Sequence, residues 1–303
     1  MPRIDRSASP QDAHRGRLLL GGVAGALLSI LALAVISDAA QPFLATSLGP
    51  GQDARAYWAA SSVDPYTAGS VGRESAYLYS PAFLQLLEPL RSLAWIDFLE
   101  AWTVVLLGAL FVMVGPLLFA PLLVLTLFEV WGGNIHLLLT LAIVFGFRWP
   151  AAWAFVLLTK VTPGIGLVWF AVRGEWRSLA IAGIATGLVA GTSFAIAPGL
   201  WYDWFELLRS SAGSSTVAGS VPVPLLLRLP VALAVVVWAA RSDRAWLVPM
   251  AAMLALPVIW WGGLTMLIGC IALRRSRLEA WLLDRITTTG LRPDGRAMVG
   301  AGS

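Results

Sequence analysis

Residues 18–36, LLLGGVAGALLSILALAVI, run for 19 positions without a charge. As a helix, a stretch of that length reaches across roughly 30 Å of hydrocarbon. A backbone placed in lipid has to satisfy its own polar groups, and a single segment does so only as a helix. A cleaved leader has a shorter apolar core, about 7–15 residues, ending in a small-residue site. Here the run leads into SDAAQPF, a poor match. A first membrane helix is therefore expected, with its N-terminus inside because Arg3, Arg6, Arg15 and Arg17 precede it. Further apolar runs lie near 98–114, 116–131, 134–147, 150–172, 178–197, 222–240, 245–256 and 258–273. The chain is 13% charged, against about 25% in soluble domains. The expected fold class is an all-α polytopic membrane protein with about eight to ten membrane helices.

Basic residues comprise 20 arginines and one lysine, Lys160. Arg173/Arg177, Arg241/Arg244 and Arg274/Arg275/Arg277 flank apolar runs and mark cytoplasmic ends, so the net charge of +4 reads as topology and anionic lipid, with no nucleic acid partner. Cys270 is the only cysteine, which excludes an intrachain disulfide and a cysteine-built metal site. His14 and His136 are the only histidines, which excludes a histidine-rich one.

The expected organisation is a disordered cytoplasmic tail (1–17), a membrane domain (18–275) and a polar cytoplasmic tail (276–303). Within the membrane domain, 37–97 forms an acidic outer loop, with short helices at 53–61 and 82–90 lying along the membrane surface. Residues 198–221 form a second outer loop, aromatic at first (Trp201, Tyr202, Trp204, Phe205), then Gly/Ser-rich. The parity does not close simply. An odd number of crossings must connect the first outer loop to cytoplasmic Arg173, yet four runs intervene. Either one run is re-entrant, or 150–172 is two short helices hinged at Lys160–Pro163. Broken helices at membrane depth are tolerated where they are buried or line a cavity.

Ionisable residues inside spans are costly and point to function. Here they are Glu129, His136 and Lys160, with Arg148 and Arg228 near run ends. Each also has an ordinary role open to it, as an interface residue, an inter-helix hydrogen bond or a snorkelling cation. Asp53 and Asp64 stand out in the first outer loop. Asp53 fits an N-cap, although no Glu or Gln follows to complete a capping box. Asp64, in DPY, reads as a turn residue. On a helix over 53–61, Asp53 and Tyr57 share a face and Arg55 points elsewhere. Tyr77 and Tyr79 follow in YLYSPAF. Rings near a carboxylate suit a carbohydrate or lipid headgroup, and equally a membrane interface.

Asp53-x3-Tyr57 after the first helix, then Asp64-Pro65-Tyr66, Tyr79-Ser80-Pro81-Ala-Phe and Glu88-Pro-Leu resemble the first outer loop of glycosyltransferase family 87. EAWTVVLLGAL (100–110), the GGN turn ending at Asn134, Lys160-Val-Thr-Pro163 and RGEWR (173–177) match, in order, features that follow in that family. The resemblance covers about residues 18–200 of a chain shorter than is usual there. It implies a GT-C fold and a polyprenyl-phosphate sugar donor, with mannose the leading candidate. It further implies a cell-envelope glycolipid or glycan acceptor and Asp53 as the general base. Transfer from a lipid phosphate needs no general acid, since the phosphate leaves readily. One carboxylate deprotonates the acceptor hydroxyl, and attack from the opposite face inverts the anomeric centre. The developing phosphate charge calls for a cation. Arg55, Arg73, Lys160 and Arg228 are candidates, His136 could also donate, and Tyr57 and Tyr79 would touch substrate. No resident cofactor is expected, while a divalent metal stays compatible with the sequence. The site would face outward from a plasma membrane, with the bilayer itself as a partner. A small permease or flippase and a catalytically degenerate GT-C relative are the alternatives.

Overall fold

The computed structural model describes residues 10–40, 49–67, 76–211 and 220–289. Every regular element among them is helical. Three helices are long and apolar enough to cross a membrane: Leu18–Asp38, Trp95–Leu125 and Trp176–Ile196. The architecture is that of an all-α membrane protein.

Helix α1 (Pro10–Ala40) packs along α4 (Trp95–Leu125). Between them sit two short helices, α2 (Gln52–Trp58) and α3 (Pro81–Arg91). Ser80 starts α3 as its N-cap, accepting from the Phe83 N–H, with Pro81 in the first turn, where a missing N–H costs nothing. Both helices lie where the sequence places short helices, but they are packed into the protein and do not merely rest on a membrane surface. Ala54, Ala56 and Tyr57 of α2 are buried, as are Phe83, Leu84 and Leu87 of α3.

Helix α4 reverses at Gly115, whose φ of 69° and ψ of 176° are not helical. A left-handed φ is open to glycine at little cost, and Pro116 then starts the return limb. The return runs beside α1, with Gly21 against Pro116 and Gly25 against Phe119. It continues through α5 (Leu127–Gly132) and delivers Trp131 to the start of α2, where the Gly51 N–H donates to the Trp131 carbonyl at 2.7 Å.

The remaining limbs alternate between the same two ends. Helix α6 (His136–Gly146) runs away from the α2 end, and α7 (Trp153–Thr159), after one 3₁₀ turn, runs back. Ser80 Oγ marks that return by donating to the Leu158 carbonyl. The chain breaks at Lys160, which is extended (φ −132°, ψ 107°). A 3₁₀ stretch, Thr162–Leu167, and α8 (Val168–Val172) then lead to the far-end turn at Arg173. Residues 150–172 are thus two limbs hinged at Lys160–Pro163, and an odd number of limbs separates α3 from Arg173. Tightly packed small and large residues allow these short limbs to sit side by side: Trp153, fully buried, fills the space against Gly146 and Gly166.

Helix α9 (Trp176–Ile196) returns to the α2 end, where α10 (Pro198–Ser210) follows. The aromatic part of the expected second loop is this helix, with Trp201 and Trp204 buried and Tyr202 and Phe205 exposed. The Gly/Ser-rich remainder at 212–219 lies outside the described residues. Helix α11 (Leu225–Arg241), α12 (Val248–Leu254) and α13 (Ile268–Ala272) complete the alternation, the last two entered through 3₁₀ turns. One tail expectation is corrected and the other is given a shape. Helix α1 begins at Pro10, inside the stretch expected to be disordered, and α14 (Arg275–Thr289) occupies the start of the expected polar tail. At α1 the polar sequence continues an apolar helix, adding one hydrogen bond per residue without a new nucleus, whereas α14 is a separate helix that starts after a turn at 273–274.

Candidate functional site

Three chain breaks meet at the α2 end: Gly133–Ile135 before α6, Lys160–Val161 after α7, and Ala255–Trp260 after α12. From the first, Asn134 reaches Asp53 on α2, and from the second, Lys160 reaches His136. Gly133 takes φ 68°, and a Cβ there would press on the Ala54 side chain, so the turn and α2 approach closely only with glycine. Trp102 Nε1 donates to the Gly133 carbonyl at 2.7 Å and clamps the turn from α4.

Asp53 is the second residue of α2, and the N-cap position is Gly51, with no side-chain cap bond. The aspartate is therefore not the cap of its own helix. Its Oδ2 accepts from Asn134 Nδ2 at 2.9 Å, across 81 residues of sequence. Burial pushes the Asp53 carboxyl above its usual range. The Asn134 hydrogen bond pulls it down, Glu129 pushes it up, and His136 and Lys160 pull it down, with a net rise.

Glu129, on α5, is buried and turns to the start of α6. Its Oε1 accepts from the His136 and Leu137 N–H groups at 2.6 and 3.3 Å, and its Oε2 lies 3.1 Å from His136 Nδ1. His136, also buried, places Nε2 2.9 Å from Lys160 Nζ. Lys160 is half-buried and its Nζ stands 5.9 Å from the centre of the Tyr79 ring. Tyr79 shares a hydrogen bond of 3.1 Å with Tyr57 through their hydroxyls. Tyr57 in turn meets Trp102 and Phe83 edge-on, at 5.3 and 5.7 Å. Burial raises both phenols well above their usual values, so they stay neutral and act as walls and hydrogen-bond groups.

Asp53, Tyr57, Tyr79, His136 and Lys160, all named from sequence, thus come together. Of the other named residues, Arg55 and Arg228 do not join them. Arg55 lies over the rings of Trp58 and Trp95, at 5.8 and 5.0 Å. Arg73 lies outside the described residues. Arg228 is buried, and its guanidinium donates to the carbonyls of Val223, Leu254, Leu256 and Pro257 at 2.7–3.0 Å. Four donors of Arg228 are committed to backbone, because the broken end of α12 and the start of α11 leave carbonyls, that of Leu256 buried, that need them, and this leaves one N–H for a phosphate. It braces the 254–263 segment, whose Gly262 and Gly263 abut Glu129 and His136.

Two residues of the cluster were absent from the sequence-derived site. Asn134 stood only as a turn match, and Glu129 only as an intramembrane charge. The signal for both was the GGN turn, which sets a polar residue and a helix start beside whatever the preceding helix delivers. Among the described residues, no three His, Cys, Asp or Glu side chains are grouped so as to hold a metal ion. Asp64 accepts from the Thr67 backbone N–H at 3.3 Å and from its hydroxyl, in an exposed turn, as its sequence context implies.

No protein-family model matches the chain, and no curated protein or solved structure matches it. Chemically, the site offers one half-buried carboxylate of raised proton affinity and one ammonium, set among neutral phenols. Such a pairing can take a proton from a hydroxyl while holding an anion nearby.

Proposed function

We propose that this protein is a membrane glycosyltransferase of the GT-C type. It moves a sugar, with mannose the leading candidate, from a polyprenyl-phosphate donor to an envelope glycolipid or glycan. The site faces the outer side of a plasma membrane. Asp53 accepts the acceptor's hydroxyl proton, the sugar inverts, and the lipid phosphate leaves. The observation that carries this reading is the Asp53 carboxylate, which is not used as a helix cap. Among the described residues it is held by one side-chain hydrogen bond, from Asn134, in the cluster that contains Lys160. Residual lone pairs on Asp53 remain open to an acceptor hydroxyl. The motif order that resembles glycosyltransferase family 87 supports the same reading.

The test uses membranes containing wild type or Asp53→Asn, supplied with radiolabelled polyprenyl-phosphate mannose and, separately, other sugars on the same carrier. Wild type should label a lipid or glycan fraction, and Asp53→Asn should not. If wild type labels nothing from any donor, the transferase reading fails. If Asp53→Asn labels as well as wild type, Asp53 is not the base.

A second reading, a small-solute or lipid permease, is favoured by the three interrupted limbs that converge on ionisable groups, an arrangement transporters also use. Flux of a labelled lipid phosphate across proteoliposomes without any chemical change would support it over transfer.

A further inference from the structure

Hydrogen-bond direction in the buried chain from Glu129 to Lys160 is set by its two ends. Glu129 Oε1 accepts two backbone N–H groups, and at the other end the Lys160 ammonium has only donors, so His136 Nε2 is the acceptor between them. His136 Nδ1 therefore carries the proton and donates to Oε2, and Nε2 presents its lone pair. Lys160 then donates one N–H to Nε2 and keeps its other N–H groups for whatever enters beside Tyr79. Burial follows the same direction. Glu129 and His136 are sealed, with Gly262 and Gly263 closing over them, and Lys160 is half-buried at the open end.

We propose that Lys160 is the anion subsite of this cluster, binding a phosphate ester, and that Glu129 and His136 are positioning residues that orient its ammonium toward that phosphate. The identification of the phosphate with the lipid-linked donor rests on the transferase reading; the subsite itself does not. Of the other cations considered for this role, the two within the described residues point elsewhere. Arg228 is committed to four backbone carbonyls, and Arg55 lies over two tryptophan rings. Lys160 also lies at a break in the chain, where the extended backbone turns it out of α7.

The test measures binding without turnover. The full-length chain in phosphatidylcholine nanodiscs is titrated with farnesyl phosphate and with farnesol, which has the same tail and no phosphate. Wild type should prefer the phosphate. Lys160→Gln should weaken farnesyl phosphate about tenfold to a hundredfold, the range expected for losing a charge-assisted hydrogen bond, and leave farnesol unchanged. His136→Leu should weaken it in the same direction. His136→Gln should restore most of the affinity, since one amide can donate to Glu129 and accept from Lys160. Unchanged farnesol binding shows that each variant is folded. If Lys160→Gln does not fold, Lys160→Arg reports in its place and should keep the preference for phosphate. No preference for phosphate in wild type, or none lost in Lys160→Gln, overturns the subsite. A full effect in Lys160→Gln with none in His136→Leu overturns the positioning role. Lys160-dependent phosphate binding in a protein that transfers no sugar upholds the subsite and removes the transferase reading.

Discussion

At the α2 end of the bundle, ionisable side chains are withdrawn from solvent and bonded to one another or to broken backbone: Asp53 to Asn134, Glu129 to His136, His136 to Lys160, Arg228 to four carbonyls. At the opposite end, arginines sit at turns and meet aromatic faces or exposed carboxylates. Arg173 pairs with Glu175 and Asp243 at 2.7 and 2.9 Å and lies over Trp169. Arg244 lies over Trp238, and Arg274 over Trp246. Exposed charges are solvated and screened, so their pairing is worth little and tolerates change. Buried ones bond in a medium where an unmade bond is expensive, which holds each in one geometry. The buried, committed charges gather at the α2 end, which also carries exposed pairs such as Arg91 with Glu88 and Arg209 with Glu206.

The sharpest challenge to that contrast is Asp53→Asn. Removing a general base should lower transfer about a hundredfold to ten-thousandfold, read from labelled product, with unchanged thermal unfolding in detergent. A smaller kinetic effect with a large loss of stability would make Asp53 structural. Next is Arg228→Ala, which should cost about 1–3 kcal/mol by stranding the buried Leu256 carbonyl and its part-buried neighbours, seen as a lower unfolding temperature. Arg228→Lys should rescue little, since an ammonium lacks the planar fork. Asn134→Ala tests the electrostatics. The Asn134 hydrogen bond lowers a proton affinity that burial has raised, so its loss raises that affinity further. A base works only when ionised, so the acid limb of the pH–rate profile should move to higher pH. A limb that stays in place would show that Asp53 does not set it. The smallest effects belong to the exposed set. Asp64→Ala and Glu206→Ala should each change stability by less than about 1 kcal/mol and leave transfer unchanged.

Asp53 and Asp64 show how far the site was legible. Both lie in one loop and both fit capping or turn chemistry by their neighbours. Asp64 found its partner three residues on, in Thr67, so local pattern was enough. Asp53 found its partner 81 residues on, and no local rule reaches that far. The same limit applies to the cations. Arg55, Arg228 and Lys160 were equivalent as charges near apolar runs. Only packing sent the first to tryptophan faces, the second to carbonyls and the third to His136. The path through 150–172 was posed correctly as two alternatives, because proline and lysine mark a break, but sequence does not say whether a broken helix reverses.

By itself, the sequence determined that this chain is helical and suited to a membrane, because apolar length and the need to satisfy every backbone group leave little else. It also carries some of the helix boundaries, at Ser80, Pro81, Gly115 and Gly133, since caps and left-handed turns are local chemistry. Tertiary structure alone decided which charges meet. Hydrogen bonds in a buried site depend on distances of about 3 Å, and those distances are set by how limbs remote in sequence pack at one end of the bundle.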